Sequence, residues 1–173
     1  MRHIYRVTEA IHSKGISYAI GGSGLLLSLG LISAMNDWDV MTEAPLDALI
    51  ASLYKERIEV LPSGDEPFNS QYRLLVQTDD KPIEIIGSFQ LKTDSGIARL
   101  PAISAHIWKG LAIASPEVWA VAYELMMRPH KAELLWTYLK VNGWHPDICT
   151  KLLQEPLPSA IRSKLEQFMI SNP

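Results

Sequence analysis

Two aspartates flank a tryptophan in the segment NDWDV, residues 36–40. Side chains on a β-strand alternate between its two faces, so Asp37 and Asp39 would project to the same side, with Cα atoms about 6.5 Å apart. Two negative charges this close repel each other unless a cation lies between them. Mg²⁺ suits such a pair, because it typically takes one or two protein carboxylates together with waters and substrate phosphates. The pair therefore predicts a magnesium site.

A third carboxylate on a neighbouring strand would let two metal ions share the site, as in-line displacement at phosphorus often requires. Glu84 is the candidate, because it is a charged residue within the apolar segment PIEIIGSF. An alternative stays open. An IEI pattern more often means that the glutamate faces solvent on a half-exposed strand.

A glycine pair and a serine, Gly21, Gly22 and Ser23, end the apolar run that precedes this segment. Glycines let the backbone come close to a ligand, and the N-terminus of a following helix favours a phosphate. Ser23 could donate its hydroxyl to that phosphate, or act as the helix N-cap. Many strand-to-helix turns carry glycine for steric reasons alone. The signal becomes more specific because the turn, the two aspartates and a later acid occur in this order.

This order of motifs resembles the DNA polymerase beta-like nucleotidyltransferase superfamily, whose pattern is an apolar residue, Gly-Gly or Gly-Ser, a short segment, and Asp-apolar-Asp. Residues 20–23 match the first part and residues 37–40 the second, with thirteen residues between them. The resemblance covers roughly residues 15–90. It looks closest to the small bacterial branch that contains aminoglycoside and lincosamide nucleotidyltransferases and toxin-type relatives.

The resemblance implies an α+β fold, with a mixed sheet, flanking helices and a helical C-terminal region. It also implies the transfer of an NMP group from an NTP substrate to a hydroxyl acceptor on a small molecule, an RNA or a protein. Two Mg²⁺ ions would serve as cofactors, and the third acid would bind metal or act as general base. The residues that carry these roles are, for the nucleotide, Gly21, Gly22 and Ser23 and, for metal and catalysis, Asp37, Asp39 and Glu84.

The segment between the two motifs departs from the family pattern. Relatives often carry an arginine or threonine just before the aspartates, whereas residues 24–36, GLLLSLGLISAMN, contain no cation. A second class of function therefore stays open: a catalytically silent nucleotidyltransferase-like binding or regulatory protein, such as one component of a toxin–antitoxin pair. A third alternative is an unrelated α+β domain whose acids are simply exposed.

Cations later in the chain could compensate. Arg128 and Lys131 lie three residues apart near a predicted helix start, and Lys131 is kept as a candidate nucleotide-binding residue. The favoured alternative is that this pair forms a solvated face beside Glu133. Arg73 is expected to be an exposed strand residue. Trp38 alternates with the two aspartates and is therefore predicted to pack into the opposite face of the sheet.

The elements that would position these residues follow from hydrophobic periodicity and turn signals. The core, residues 1–114, is predicted to be α+β, and the remainder, residues 115–173, to be helical and packed on the core. Ser115 is the predicted start of the helical region, Gly143 the end of one helix, and Pro129 a division between two helices. The predicted elements of the core are helices over 2–14, after Ser23 and over 44–57, strands over 16–22 and 37–43, an edge strand over 58–62, a hairpin over 71–78 and 83–91, and one or two further strands before 114.

Composition limits the class of protein. Apolar residues make up 47% of the 173 residues and charged ones 20%, which is enough for a core and shows no sign of disorder. A net charge of −3 argues against strong duplex-DNA binding. Cys149 is the only cysteine, so an intramolecular disulfide and a thiolate zinc site are excluded. The N-terminal stretch lacks the apolar centre of a signal peptide, and no apolar run reaches the roughly 18 residues of a membrane span. We therefore expect a cytoplasmic protein without membrane contact.

Overall fold

A computed structural model describes residues 1–62 and 64–172. Within these ranges the chain forms a seven-stranded mixed sheet, a two-stranded sheet and seven helices. This architecture confirms the predicted α+β class. The helices are α1 Arg2–His12, α2 Gly22–Ser28, α3 Leu46–Ser52, α4 Pro116–Leu125, α5 Pro129–Asn142, α6 Pro146–Leu153 and α7 Ser159–Ser171, and the strands are β1 Ala19–Ile20, β2 Trp38–Thr42, β3 Ile58–Leu61, β4 Tyr72–Val76, β5 Ile83–Gly87, β6 Gln90–Thr93, β7 Gly96–Arg99, β8 Ser104–Trp108 and β9 Leu111–Ala114.

The large sheet has the strand order β3-β4-β5-β2-β1-β9-β8. Its centre is the parallel pair β2 and β5, in which Asp39 lies directly opposite Glu84. Residues paired in this way project to the same face of a sheet, so the register places the two acids side by side. β4 runs antiparallel to β5 as the predicted hairpin, and β3 forms the predicted edge.

The opposite face of β2 is apolar. Trp38 is buried there against α2, where a Cβ at Gly24 would touch its ring. This confirms the predicted orientation of Trp38. The apolar stripe of α1, formed by Ile4, Val7 and Ile11, is also fully buried, as its spacing predicts.

Three local predictions are wrong. Ser23 does not cap α2, because the helix begins at Gly22, with Gly21 in the N-cap position. The helix predicted over 44–57 ends at Ser52. Three strands, β7 to β9, follow the hairpin region before residue 114, where one or two were predicted. β8 shows why, since most of its residues are exposed and it therefore lacks the apolar alternation that marks a strand.

The C-terminal helices begin and end where the sequence predicts. Ser115 caps α4, because its Oγ accepts a hydrogen bond from the Val118 N–H at 3.2 Å. Pro129 is the first residue of α5, and Gly143, with φ +91°, follows its last turn. Cys149 on α6 is fully buried, and this burial raises the pKa of its thiol to about 12.

α4 lies over the acid-bearing face of the sheet. The Trp119 Nε1–H of α4 is 3.1 Å from the Met41 Sδ of β2, and the Trp119 ring stacks on Phe89 with centroids 5.5 Å apart. Met41 shares its face of β2 with Asp39, because the two are two positions apart on the strand. The helical region therefore covers the face where the candidate site lies. Among the residues described, no helix combines the length and the apolar character needed to cross a bilayer.

Candidate functional site

A cavity of about 260 Å³ lies between the acid-bearing face of the sheet and helices α4 and α5. Acids from the sheet line one side, and aromatic and basic side chains from the helices line the other. Two larger depressions, of about 580 and 520 Å³, occur on the described surface, but neither includes a residue of the glycine or aspartate motifs. The smaller cavity is therefore the candidate site.

The glycine turn and the aspartate segment are in direct contact at this cavity. Gly22 has φ +53°, and a Cβ at this position would overlap the Asp39 Oδ2 atom. The Ser23 Oγ–H donates to Asp37 Oδ1 at 3.1 Å. Only glycine fits at position 22, and Ser23 orients the first aspartate. The thirteen intervening residues thus return the chain so that the two motifs meet.

Gly21 has a packing role. Its N–H donates to the Asp39 carbonyl oxygen at 2.9 Å, and a Cβ on it would overlap the Trp119 ring. Its N–H is thus already used, and helix α4 covers its Cα. The steric explanation of the glycine turn therefore applies to Gly21, while Gly22 and Ser23 are the turn residues that adjoin the acids.

The two aspartates differ in exposure. Asp37 precedes β2 and is exposed, whereas Asp39 is half-buried within the strand. Burial raises the pKa of Asp39 to about 7, and the negative charges of Asp37 and Glu84 add to this rise. The cations of Arg128 and Lys131 act in the opposite direction. A carboxylate held beside two other acids is one that a bound cation would stabilise.

Glu84 faces the site but is held by an arginine. The Arg73 Nε–H and Nη2–H donate to its two carboxylate oxygens at 2.5 and 3.0 Å. The Arg73 and Glu84 side chains are 21% and 23% exposed. The prediction that Arg73 is simply an exposed strand residue is therefore wrong. Its register opposite Ile86 places it diagonally next to Glu84, on the face that the cavity covers.

The arrangement of the acids decides which of them could hold a metal ion. Across residues 1–62 and 64–172, no group of three or more His, Cys, Asp or Glu side chains is placed to hold one ion. Asp37 and Asp39 are the pair on the cavity wall that lacks a cationic partner of its own, since Glu84 has Arg73. Two carboxylates and the open volume beside them fit the oxygen ligands that Mg²⁺ takes with waters and phosphates.

Two cations lie across the cavity from the aspartates. Arg128 immediately precedes α5, and Lys131 lies in its first turn, with Nζ 5.4 Å from the centroid of the Tyr123 ring. Glu133 instead lies 3.7 Å from the ammonium of Lys164. Arg128 is exposed, as the favoured alternative of a solvated face expects, whereas Lys131 is half-buried. The structure brings both cations to the same cavity as the acids.

One residue of this wall was missed by the sequence analysis. Tyr123 lies one helical turn after Trp119 on α4, and their rings contact at a centroid distance of 5.4 Å. The spacing of four residues was the available signal, because it places both aromatic side chains on the same face of a helix. It could not reveal that this face covers two aspartates.

Comparisons with known proteins support the fold. No protein-family model matches the chain, and no curated protein has a detectably similar sequence. Solved structures do match. A Thermotoga maritima protein provisionally described as a nucleotidyltransferase superposes with a TM-score of 0.54 at 16% identity, over 82% of this chain and 92% of that one.

The antibiotic-resistance factor ANT(2'')-Ia matches in two structures. Its crystal structure in complex with adenylyl-2''-tobramycin gives a TM-score of 0.56 at 15% identity and covers 96% of each chain. Its solution structure gives 0.56 at 14% identity, over 97% of this chain and 91% of that one. The protein therefore has the fold of the nucleotidyltransferases. Its cavity brings together the paired aspartates at the start of β2 and the glycine turn that begins α2.

Proposed function

We propose that the protein is a Mg²⁺-dependent nucleotidyltransferase, which moves an NMP group from an NTP to a hydroxyl acceptor. The observation that carries the proposal is the contact between the two motifs. Gly22 and Ser23 lie directly against Asp39 and Asp37, in a cavity whose other wall is cationic. In a bound metal–triphosphate, the metal ion would face the aspartates and the phosphates would face the cationic wall.

In this proposal Asp37 and Asp39 hold the Mg²⁺, as one ion or two. Bound Mg²⁺ would neutralise charge on the phosphates and favour loss of the proton from the acceptor hydroxyl. Ser23 keeps Asp37 oriented, and the missing side chain of Gly22 lets the Asp39 carboxylate lie directly against the glycine turn. The acceptor oxygen then forms a bond to the α-phosphorus, the bond from that phosphorus to the β-phosphate bridge breaks, and pyrophosphate leaves.

Arg128 and Lys131 would bind the phosphates from the opposite wall. They would thus supply the positive charge that residues 24–36 lack. Such cations stabilise the charge of the transferring phosphoryl group and require little reorganisation when they are held in place beforehand. The proposed site therefore takes its cations from α5, rather than from the segment before the aspartates.

Glu84 would be the third acid of the site, as a metal ligand or as the general base. Arg73 occupies one acceptor site on each of its oxygens, and a carboxylate has about four such sites, so Glu84 can still accept a proton or hydrogen bond. Arg73 would hold the carboxylate in one orientation towards Asp39.

The acceptor hydroxyl could belong to a small molecule, an RNA or a protein. The match to ANT(2'')-Ia with adenylyl-2''-tobramycin supports a small amino sugar as the first acceptor to test. The second candidate function is a catalytically silent nucleotide-binding or regulatory protein, such as a toxin–antitoxin component. It is favoured by the cation-free segment 24–36 and by the pairing of Glu84 with Arg73.

Binding and transfer can be measured separately. The purified protein is titrated with each NTP, with and without Mg²⁺, and α-³²P-labelled NTP is then supplied with an aminoglycoside, tRNA or protein acceptor. We expect Mg²⁺-dependent binding, and label transfer that falls at least about a hundredfold in Asp37→Asn and Asp39→Asn, the loss typical when one charge-stabilising group is removed. Asp47→Asn, an exposed aspartate on α3, is the matched control and should keep full transfer.

The outcomes separate the alternatives. Absence of NTP binding with Mg²⁺ would contradict the enzymatic proposal, and binding without transfer to any acceptor would favour the silent protein. Undiminished labelling in both aspartate variants would remove these residues from the mechanism. Glu84→Gln distinguishes its two roles, because loss of a base slows transfer at unchanged nucleotide affinity, whereas loss of a metal ligand weakens Mg²⁺-dependent binding.

A further inference from the structure

The Tyr123 hydroxyl is a buried polar group without a partner. Its residue is fully buried, and in the described part of the chain the hydroxyl is one of two buried side-chain nitrogen or oxygen atoms that make no hydrogen bond. Native structures rarely leave such groups unpaired, because the lost contact with water is not replaced. Exceptions often mark a site where a ligand supplies the missing partner.

The position of this hydroxyl identifies the kind of partner. Tyr123 lines the candidate cavity, with the Lys131 ammonium 5.4 Å from its ring centroid and the Arg128 N–H donating to its carbonyl oxygen at 2.8 Å. Burial is the main cause that raises the pKa of Tyr123, and the negative charge of Asp39 is the second. The phenol therefore stays protonated at neutral pH, so its O–H is available as a donor to a group bound in the cavity that Tyr123 lines.

The groups around the hydroxyl carry unbalanced charge on both sides. A cation would stabilise Asp37 and Asp39, and an anion would stabilise Arg128 and Lys131. A neutral sugar or base between them would leave both charges without a partner. A phosphate with its metal ion balances both and also offers oxygen acceptors to a phenol.

We infer that the Tyr123 hydroxyl donates a hydrogen bond to a non-bridging phosphate oxygen of the bound nucleotide, between the aspartate pair and Lys131. The inference rests on the proposed function and adds a phosphate-binding residue on α4 to those on the sheet and α5. It also explains why a hydroxyl is kept in an otherwise aromatic wall beside Trp119.

Tyr123→Phe tests the inference, because it removes only the oxygen. Without ligand, the variant should melt at the same temperature as the wild type or higher, since an unsatisfied buried group is lost. Its Kd for Mg²⁺–tripolyphosphate and for Mg²⁺–NTP should rise about tenfold, as expected for one hydrogen bond to a charged group. Its affinity for the free nucleoside should stay at the wild-type value.

Tyr72→Phe is the matched control. The Tyr72 hydroxyl donates to the Ala44 carbonyl oxygen at 2.6 Å, so its removal should lower the melting temperature and leave phosphate affinity unchanged. The two variants should thus show opposite signatures, one in binding and the other in stability.

Several results would overturn the inference. One is that Tyr123→Phe binds Mg²⁺–tripolyphosphate as tightly as the wild type. Another is an equal loss of nucleoside affinity, which would indicate a sugar or base contact. A variant that melts earlier or does not fold would show that the hydroxyl has a structural partner. Failure of the wild type itself to bind Mg²⁺–NTP and Mg²⁺–tripolyphosphate would overturn the proposed function, and this inference with it.

Discussion

The charged form of Asp39, which the proposed function needs as a metal ligand, is destabilised by its surroundings. Its carboxyl is half-buried beside Asp37 and Glu84, and burial followed by these charges raises its pKa from 3.8 to about 7. A carboxyl whose pKa is higher in the folded than in the unfolded protein favours folding only while it is protonated in both states. Its ionisation therefore lowers stability progressively as pH rises from about 4 through about 7. A bound cation would offset this cost.

Asp39→Asn should separate the stability of this residue from its function. In EDTA at pH 8, we expect the variant to melt a few degrees above the wild type, since about 1 kcal/mol corresponds to roughly 2–4 °C in a chain of this size. The difference should shrink at pH 5, where the wild-type carboxyl is protonated. Mg²⁺ at pH 8 should raise the melting temperature of the wild type and not that of the variant.

Thermal melts at the two pH values, with EDTA and with Mg²⁺, check this expectation. Asp47→Asn should track the wild type under all four conditions, because its carboxyl is exposed on α3. A lower melting temperature for Asp39→Asn at pH 8, or an equal response to Mg²⁺, would contradict it.

The turn between α4 and α5 directs the cationic wall towards the acids. The Arg128 N–H donates to the Tyr123 carbonyl oxygen at 2.8 Å, and the Met127 N–H to that of Glu124 at 3.0 Å. These two bonds are the Schellman arrangement that ends a helix, in which the residue at C′ is usually glycine. Here it is Met127, with φ +56° and a side chain that is 85% exposed. The backbone accepts an unfavourable conformation at the residue before Arg128.

Met127→Gly should stabilise the protein by up to about 1 kcal/mol, because a residue without a Cβ adopts the left-handed conformation without steric cost. Part of this gain is cancelled, because glycine has greater conformational freedom in the unfolded chain. Nucleotide affinity should not change, since the Met127 side chain points to solvent. Met127→Val should do the reverse, because β-branched residues strongly disfavour positive φ.

Urea unfolding and Mg²⁺–NTP titration of the two variants provide the measurement. If glycine lowers stability, or if valine leaves it unchanged, Met127 is not a strained position. A loss of affinity in Met127→Gly would show instead that the side chain contacts the nucleotide.

At the scale of the whole molecule, local patterns predicted much of the fold. Apolar periodicity and capping residues located the C-terminal helices, including the Ser115 cap and the Gly143 stop, because these signals act within one turn of the chain. Alternation on β2 correctly placed Trp38 away from the aspartates. The order of motifs predicted the fold that the solved structures confirm.

Long-range register could not be predicted in the same way. The Arg73–Glu84 pair depends on how β4 aligns with β5. The position of Tyr123 in the cavity wall depends on where α4 lies on the sheet. The insertion of β9 beside β1, more than ninety residues earlier, is another such pairing: Ile20 lies opposite Ile113. A single sequence shows none of these alignments, because each is decided by packing between distant segments.

Glu117 connects the parts of the helical region. It is almost fully buried on α4, where one carboxylate oxygen accepts from the Ser115 hydroxyl at 2.6 Å and the other from the His145 N–H at 2.8 Å. His145 is the N-cap residue of α6, so this single carboxylate joins the start of α4 to the start of α6. Because α4 also covers the cavity, we expect the helical region and the site to unfold together.

Glu117→Ala should lower the free energy of unfolding by about 2 kcal/mol, because it leaves the buried Ser115 hydroxyl and the partly buried His145 N–H without their acceptor. Glu117→Gln, which keeps an acceptor oxygen, should lose less. Urea unfolding followed by far-UV circular dichroism and by tryptophan fluorescence should give coincident transitions in all three proteins. Separate transitions would instead indicate that residues 115–172 unfold on their own.

The buried thiol on α6 makes this protein unusually easy to probe by fluorescence. With one cysteine in the chain, fully buried and with a raised pKa, maleimide reagents have little thiolate to attack at neutral pH. A cysteine introduced at an exposed position such as Met127 would then be the preferred attachment point for a dye. Binding of a nucleotide in the cavity could thus be followed through a dye at the residue next to Arg128, in the otherwise unaltered chain.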